Sequence, residues 1–373
     1  MKTIVHIISA QLAPNYLFTK EFYEEGDELL LIATKKVEKN LKKLLNSRPN
    51  IRATCIIFEE EGDEEKWDVM VECINKYLDR NKKYIVNLSG GTKYMSHAIM
   101  NIFEDFDSHF YYIPFPKNVI IAPKSNDIRP IKYRMGVKEY LGLYEREIKC
   151  NSILETEEYT NDIFNLFTND LFSENDKAIT EILREHYRDR NISNIENVEK
   201  GINTSKKFPA IPGLAKFLEF INFPLKDSNK LSKYESRYLT GGWFEEYAYH
   251  LIKKTINPND ILLGVEIQRN SDSNINDLDV AFTIGNKLYI IECKTGVGKE
   301  GLFKEIVYKA SALKSYLAGL SANSYIITLS NHKEEWANIS RNLDSTYLGR
   351  EFFIEEEKWL NECNKIIKYS NDR

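Results

Sequence analysis

An α/β protein in two parts, joined by a helical section, is the fold class this 373-residue chain predicts. Three observations carry it. Short aliphatic and β-branched runs alternate with helical patterns through the first third. The middle is polar and helical without a strong strand, and the last third runs helix, three strands, helix, strand. The length suffices for two domains, each with its own core.

In the first third the strand runs are Thr3–Ile8, Glu28–Ala33, Arg52–Phe58, Tyr84–Leu88 and His109–Ile113. Helical stretches between them are Tyr16–Tyr23, Val37–Leu45, Glu64–Leu78 and Tyr94–Phe103. Strands separated by helices call for a mainly parallel sheet covered on both faces. From Pro114 to Tyr144 the character changes, with four prolines and a hairpin expected between Val119–Ile121 and Ile131–Tyr133. Leu154 to Phe223 reads as helical. Ile179–Tyr187 is amphipathic there, Arg188–Lys207 is a loop rich in Asn, Ser and Lys, and Ile211–Phe223 is a further short helix. We read 148–230 as a helical connector between an N-terminal part, 1–147, and a C-terminal part, 231–373. In the last part Thr240-Gly241-Gly242 precedes a helix, Trp243–Lys254, and Ile261–Gln268 is a strand followed by the polar turn Asn270–Asn276. Leu278–Ile284 and Lys287–Cys293 form a hairpin across the tight Gly285-Asn286 turn. The helix Lys304–Leu317 then leads into the strand Ser324–Thr328.

Composition narrows the class. With 22 Tyr and 19 Phe this is no disordered polyelectrolyte. A formal net charge of −5 excludes an undirected basic coat for nucleic acid, although a local groove or a bound cation can still hold phosphates. The cysteines (Cys55, Cys73, Cys150, Cys293, Cys363) form no CxxC pair, which argues against a disulfide framework or a zinc cage. Six histidines (His6, His97, His109, His186, His250, His332) are dispersed, against a histidine-based catalytic centre. Neither a signal peptide nor a membrane span is expected, so the reading is cytoplasmic with no membrane partner.

The most informative residues lie on the C-terminal hairpin: Asp279 on its first strand, Glu292 and Lys294 on its second. Strand side chains alternate, so Glu292 and Lys294 share a face and Cys293 takes the other. Across the hairpin Asp279 falls beside Glu292. Two carboxylates that close repel unless a cation lies between them, and hard oxygen donors suit Mg²⁺ or Mn²⁺. Lys294 could orient water or stabilise developing negative charge. Glu-x-Lys alone is common by chance, and ordinarily a solvated pair. The ordered set is more specific. Leu278, Val280, Ile290 and Ile291 frame the charges, the upstream helix brings Glu245 and Glu246, and the following helix brings Lys309.

Helix Glu, strand Asp, strand Glu-x-Lys and following helix resembles the PD-(D/E)xK restriction-endonuclease-like nuclease core, with Leu278-Asp279 where that family usually has Pro-Asp. The resemblance implies Asp279 and Glu292 as metal ligands, helped by the Cys293 carbonyl. It implies Lys294 as the catalytic lysine, Glu245 as the helix acid and Lys309 facing phosphate. Gln268 is a weaker member, and Asp277 is the carboxylate should the register differ by two.

A second constellation, Asn87-Leu88-Ser89-Gly90-Gly91-Thr92-Lys93, joins a strand to a helix. Paired glycines let backbone approach a ligand closely, and a helix N-terminus offers free N–H groups to phosphate. The Walker A spacing is absent, and a tight turn capped by Thr92 explains this piece alone equally well. The loop Ser9-Ala10-Gln11-Leu12-Ala13-Pro14-Asn15 ends another strand, and open α/β sheets bind ligands at such carboxyl ends. This half resembles the CARF domain, a Rossmann-like sensor of cyclic oligoadenylates. The resemblance implies a homodimer and ligand contacts at Ser9, Gln11, Asn15, Gly90, Gly91, Thr92 and Lys93, with Lys117 a weaker one. Both halves together look like the CARF–nuclease effectors of type III CRISPR defence. That implies an endonuclease dependent on a divalent metal (Mn²⁺ or Mg²⁺), allosterically activated by cyclic oligoadenylate, with tetra-adenylate the expected ring. It would cut single-stranded DNA or RNA and nick DNA. The rival from another class is a ligand-sensing nucleic-acid-binding regulator with a non-cutting C-terminal domain; the intact Asp279, Glu292 and Lys294 set weighs against it.

Overall fold

The computed structural model describes residues 1–46, 50–143, 147–150, 155–188, 194–200, 202–203, 210–225, 229–268, 275–296, 300–318, 322–331 and 333–371. The first five strands are β1 (Thr3–Ile7), β2 (Glu28–Thr34), β3 (Ala53–Phe58), β4 (Lys83–Asn87) and β5 (Asp107–Tyr111). They form an all-parallel sheet in the order β3-β2-β1-β4-β5. The crossovers carry α1 (Ala13–Phe22), α2 (Glu38–Asn46), α3 (Trp67–Asn75) and α4 (Lys93–Phe103). Alternation along each strand sorts the aliphatic side chains into two layers. Ile4, Leu29 and Leu31 pack under α1 and α2. Val5, Leu30 and Ile32 pack under α3 and α4. Each expected strand is present to within two residues. The expected helix at Glu64–Leu78 is broken at Lys66, whose extended backbone (φ −104°, ψ 111°) separates a short 3₁₀ turn from α3.

The hairpin that follows pairs β6 (Val119–Ala122) with β7 (Asp127–Pro130), not with Ile131–Tyr133. Asn126, at φ 57°, closes a shorter turn than the apolar pattern suggested.

The remaining elements are α5 (Val137–Gly142), β8 (Glu147–Cys150), α6 (Glu157–Thr168), α7 (Glu174–Arg188), β9 (Ile195–Asn197), β10 (Ile202–Asn203), α8 (Leu214–Phe220) and α9 (Lys233–Arg237). A π-helical turn, Tyr238–Gly242, then opens into α10 (Trp243–Thr255). After it come β11 (Asp260–Gln268), β12 (Ile275–Ile284), β13 (Lys287–Lys294), α11 (Glu300–Ala318), β14 (Ala322–Thr328), α12 (Glu334–Asn342), β15 (Ser345–Leu348), α13 (Glu351–Ile354) and α14 (Glu356–Asn371). The second sheet runs β15-β14-β13-β12-β11-β8, antiparallel from β8 to β13 and parallel from β13 to β15. β8 is thus an edge strand of this sheet supplied from the start of the connector, which the sequence reading placed in no strand. Of the expected loop Arg188–Lys207, 189–193, 201 and 204–207 lie outside the described residues, as do 270–274 of the expected polar turn and His332.

Gly285 (φ 56°) and Asn286 (φ 60°) make the two-residue hairpin turn as expected. The Asn286 side chain accepts from Met135 N (2.7 Å) and donates to the Tyr133 carbonyl (2.9 Å), fastening the hairpin tip to the segment after β7. One face of the sheet, through Val265, Leu278 and Leu288, shares an apolar cluster with α1 and residues 131–143. The other face, through Val280, Phe282 and Ile291, packs on α10. α6, α7 and α8 enter that same cluster with Phe164, Ile179, Leu183 and Phe217. The expected connector is therefore an annex of the C-terminal core: α6 packs on α10, and α7 packs on α9 and the π turn. Phe164 stacks on Tyr247 with ring centroids 4.1 Å apart. Phe164→Ala should cost about 3–5 kcal/mol and lower the thermal midpoint of the C-terminal half, read by scanning calorimetry.

Candidate functional site

The ladder between β12 and β13 pairs Val280 with Ile291, so Asp279 and Glu292 come next in line at the end of the hairpin. There Asp279 turns its carboxylate across the gap: Oδ2 accepts from Cys293 N at 2.7 Å. The Lys294 ammonium lies 3.2 Å from Asp279 Oδ2 and 2.7 Å from Glu292 Oε1, and it also donates to the Cys293 carbonyl at 2.8 Å. Asp279 and Glu292 thus lie side by side, as alternation and cross-strand pairing anticipated, and the cation between them here is the Lys294 ammonium. Lys309 on α11 stands 3.9 Å from Glu292 Oε1.

Glu245 and Glu246 open α10 but part company. Glu246 is buried and accepts from Glu155 N at 3.1 Å, on the connector side. Glu245 faces the cluster. Burial first, and then the neighbouring Asp279 charge, pushes its carboxyl up to about 8, with Arg237 and Lys294 pulling the other way. Burial and Asp279 likewise raise Glu292, against Lys294 and Lys309. For Lys294, burial works against the charged form, but Asp279 and Glu292 outweigh it and hold the ammonium protonated well above its ordinary range. Burial keeps the Cys293 thiol neutral, so only its carbonyl is a donor. The set is a compact knot of acids each held by a cation. Asp277 is set back by two residues, opposite Glu266 of β11, and its Oδ1 is buried without a hydrogen bond. The Gln268 side chain lies outside the described residues.

The second site is at the N-terminal sheet. β1 crosses to β2 on one side while β4 lies on its other side, so the strand order reverses between β1 and β4. Open α/β sheets bind ligands at this crevice. Both expected loops open there. The Gly90 loop lies directly over the end of β1: a Cβ at Gly90 would stand 1.9 Å from the Ile7 carbonyl oxygen. Gly91 holds φ +71°, and a Cβ there would meet Ile7 Cγ2 at 2.4 Å. Thr92 caps α4, its hydroxyl accepting from Met95 N at 3.2 Å, and Gly91, Thr92 and Lys93 are exposed. Ser9, half-buried, donates to the Gln11 carbonyl at 3.2 Å, and Lys117 is exposed in the loop after β5.

Asn15 departs from its expected role as a ligand contact. It is fully buried, its amide donating to the Ile7 carbonyl at 3.1 Å and facing His6 Nδ1 at 3.3 Å. His6 is buried and held neutral, down at about 3, by burial. Its Nε2 meets Thr19 Oγ1 at 2.9 Å, and its Nδ1 meets Asn87 Nδ2 at 3.2 Å. Because Thr19 Oγ1 already donates to the Asn15 carbonyl, His6 carries its proton on Nε2 and Nδ1 accepts from both amides. Asn15 thus braces the two loops from beneath. The sequence reading saw a polar residue in a strand-end loop; the one-turn spacing of Asn15 and Thr19 with a facing His6 was the available signal for burial.

Comparison with known proteins sets these geometries in a family. Residues 3–140 match the Card1 CARF domain, and residues 232–349 match the Card1-like endonuclease domain. Curated protein sequences contain no significant match. Among solved structures the chain is similar to protein VC1899 from Vibrio cholerae, at 16% identity and TM-score 0.74, covering 100% of this chain and 99% of that one. It is similar also to Can2 from Sulfobacillus thermosulfidooxidans, solved with cyclic tetra-adenylate, at 20% identity and TM-score 0.68, covering 100% of both. A type III CRISPR defence DNA nuclease activated by cyclic oligoadenylate matches at 15% identity and TM-score 0.52, over 89% of this chain and 46% of that one. These likenesses concern the fold. With a Card1-type CARF domain and a Card1-like endonuclease domain in one polypeptide, the chain belongs to the CARF-domain endonucleases.

Proposed function

We propose that this chain is an endonuclease switched on by a cyclic oligoadenylate, tetra-adenylate being the expected ring, and that it cleaves single-stranded DNA or RNA and nicks DNA in type III CRISPR defence. The observation that carries the cutting role is the pair Asp279 and Glu292 converging on one cation at the end of a β-hairpin. The strand-end crevice between β1 and β4, and the cyclic tetra-adenylate in Can2, support the activator.

The donor chemistry fits a divalent ion. Two carboxylates and the Cys293 carbonyl are hard oxygen donors of the kind Mg²⁺ and Mn²⁺ take, and all three already share the Lys294 ammonium. Among the described residues no three His, Cys, Asp or Glu side chains form a ready cage, so water and substrate would complete the shell. Such an ion, when bound, lowers the pKa of water and neutralises phosphate charge. Lys294 yields its carboxylate partners there, keeps its proton, and holds the attacking water or the developing oxyanion. Glu245 supplies a third acid from α10, and Lys309 a second cation for the scissile strand. At the N-terminal sheet, Gly90, Gly91, Thr92 and Lys93 would take ligand phosphates on free N–H groups, with Ser9 and Gln11 lining the facing loop and Asn15 supporting it. Two copies of the chain would enclose one ring, biasing the arrangement of the C-terminal halves. We place the sensor at 1–147 and the nuclease at 231–373, with 148–230 built onto the nuclease core, and the protein in the cytoplasm. No helix among the described residues is long and apolar enough to cross a membrane.

The test incubates purified protein with Mn²⁺ or Mg²⁺, single-stranded DNA, RNA and supercoiled plasmid, and a panel of cyclic oligoadenylates. Cleavage should require both metal and ring, vanish with chelator and return with added ion. Equal cutting without the ring would end the switch; strand binding without cutting under every metal would favour the regulator.

A further inference from the structure

The cation facing Glu245 has no part in the cluster the sequence pointed to. Arg237 ends α9, and the π turn Tyr238–Gly242 separates it from Glu245. Its Nη2 stands 3.7 Å from Glu245 Oε2, outside hydrogen-bond distance, and among the described residues its guanidinium makes no hydrogen bond. The side chain is only 24% exposed. A guanidinium carries five N–H donors in a rigid fork, and shielding such a group without acceptors is costly. Burial works against its charge, but Glu245, Tyr187, Asp279 and Asp277 outweigh it and keep the guanidinium protonated beside the acids. If its purpose were to neutralise Glu245, a direct bidentate pair would be the expected geometry. Instead the fork is held short of the carboxylate with its donors unspent. Gly241 leaves helical geometry inside this turn (φ 159°, ψ −24°), and the kink re-aims the side chains on either side.

We propose that Arg237 is a substrate-phosphate receptor of the nuclease site, gripping a backbone phosphate of the nucleic-acid strand with two parallel N–H donors. This rests on the nuclease reading and adds to it a contact from outside the hairpin and α10. The fork geometry matches phosphate better than an ammonium would, and the acids around it keep it directed at the strand rather than at bulk solvent. Sequence reading passed over Arg237 because its neighbour in space is eight positions away, across an irregular turn.

The test uses the full chain in an Asp279→Asn background, so that binding is read without cutting. Arg237→Ala and Arg237→Lys are titrated with a labelled single-stranded oligothymidylate, with Mg²⁺ and cyclic tetra-adenylate present, over a salt series. Arg237→Ala should weaken binding on the order of tenfold. The slope of log K against log salt should shrink by about 0.7, one strand phosphate contact. Arg237→Lys should keep the slope and recover part of the affinity. Weaker binding at an unchanged slope would overturn the proposal in favour of a structural role, and so would unchanged affinity in both variants. Should Arg237→Ala fail to fold, judged by its thermal unfolding, Arg237→Gln carries the same comparison. A chain with Arg237 intact that binds no strand even with the ring would overturn the nuclease reading itself.

Discussion

Asp279→Asn should abolish cleavage, by at least about a thousandfold, while leaving the fold in place. The choice of Asn matters because Asp279 has two tasks. Its Oδ2 accepts the Cys293 N–H where the hairpin ladder ends, and it faces the cation that Glu292 also faces. Asp279→Ala would remove both, and stranding the Cys293 N–H costs about 1–3 kcal/mol by itself. Asparagine keeps an acceptor oxygen for Cys293 N and deletes the charge. A divalent ion contributes several kcal/mol of transition-state stabilisation, and each 1.36 kcal/mol is tenfold in rate, so losing a carboxylate ligand should cost about three orders of magnitude. Glu292→Gln should behave alike, for the same reason. The measurement is single-turnover cleavage with ring and metal saturating, beside a calorimetric melt. A rate within threefold of the parent chain in either variant would remove these residues from the chemistry.

The parts legible in the sequence were those whose physics is local. The continuous β-branched run Thr3–Ile8 reports a strand covered on both faces, and Gly285-Asn286 reports its own turn. Strand alternation therefore suffices to put Glu292 and Lys294 on one side of a strand with Asp279 across from them. The misses share the opposite character. β8 is four residues, Glu147–Cys150, and is a strand only because β11 offers it an edge. The amphipathic stripe at Ile179–Tyr187 shows that something covers it, but not that α9 and the π turn of the C-terminal part do so. Asn15 looks like any polar loop residue until His6 and the Ile7 carbonyl are found beneath it. Arg237 meets Glu245 only because a π turn reorients the chain between them. Pattern reading recovers faces; partners chosen by tertiary packing need the fold.

Gly90→Ala should desensitise the switch and leave the cutter intact. Glycine is needed here for space: Gly90 is buried, and an added Cβ would fall 1.9 Å from the Ile7 carbonyl oxygen and 2.9 Å from its carbonyl carbon. Those atoms are backbone at the end of β1, the central strand of the N-terminal sheet, so they have nowhere to retreat. Overpacking a fixed site costs about 1–3 kcal/mol. The loop from Ser89 to Lys93 is the cheaper element to displace, since its outer residues Gly91, Thr92 and Lys93 are exposed. Lifting that loop moves the Thr92 cap and the first N–H groups of α4 away from the crevice, which would weaken ring binding by roughly ten- to hundredfold. Gly90 lies over the end of β1 in the N-terminal sheet, so Asp279, Glu292 and Lys294 should keep their geometry. Titration calorimetry with cyclic tetra-adenylate reads the first consequence, and cleavage over a range of ring concentrations reads the second. Activation should shift to higher ring concentration with the maximal rate retained. A maximal rate that falls while ring affinity holds would place Gly90 in the coupling between the halves instead of in the ligand site.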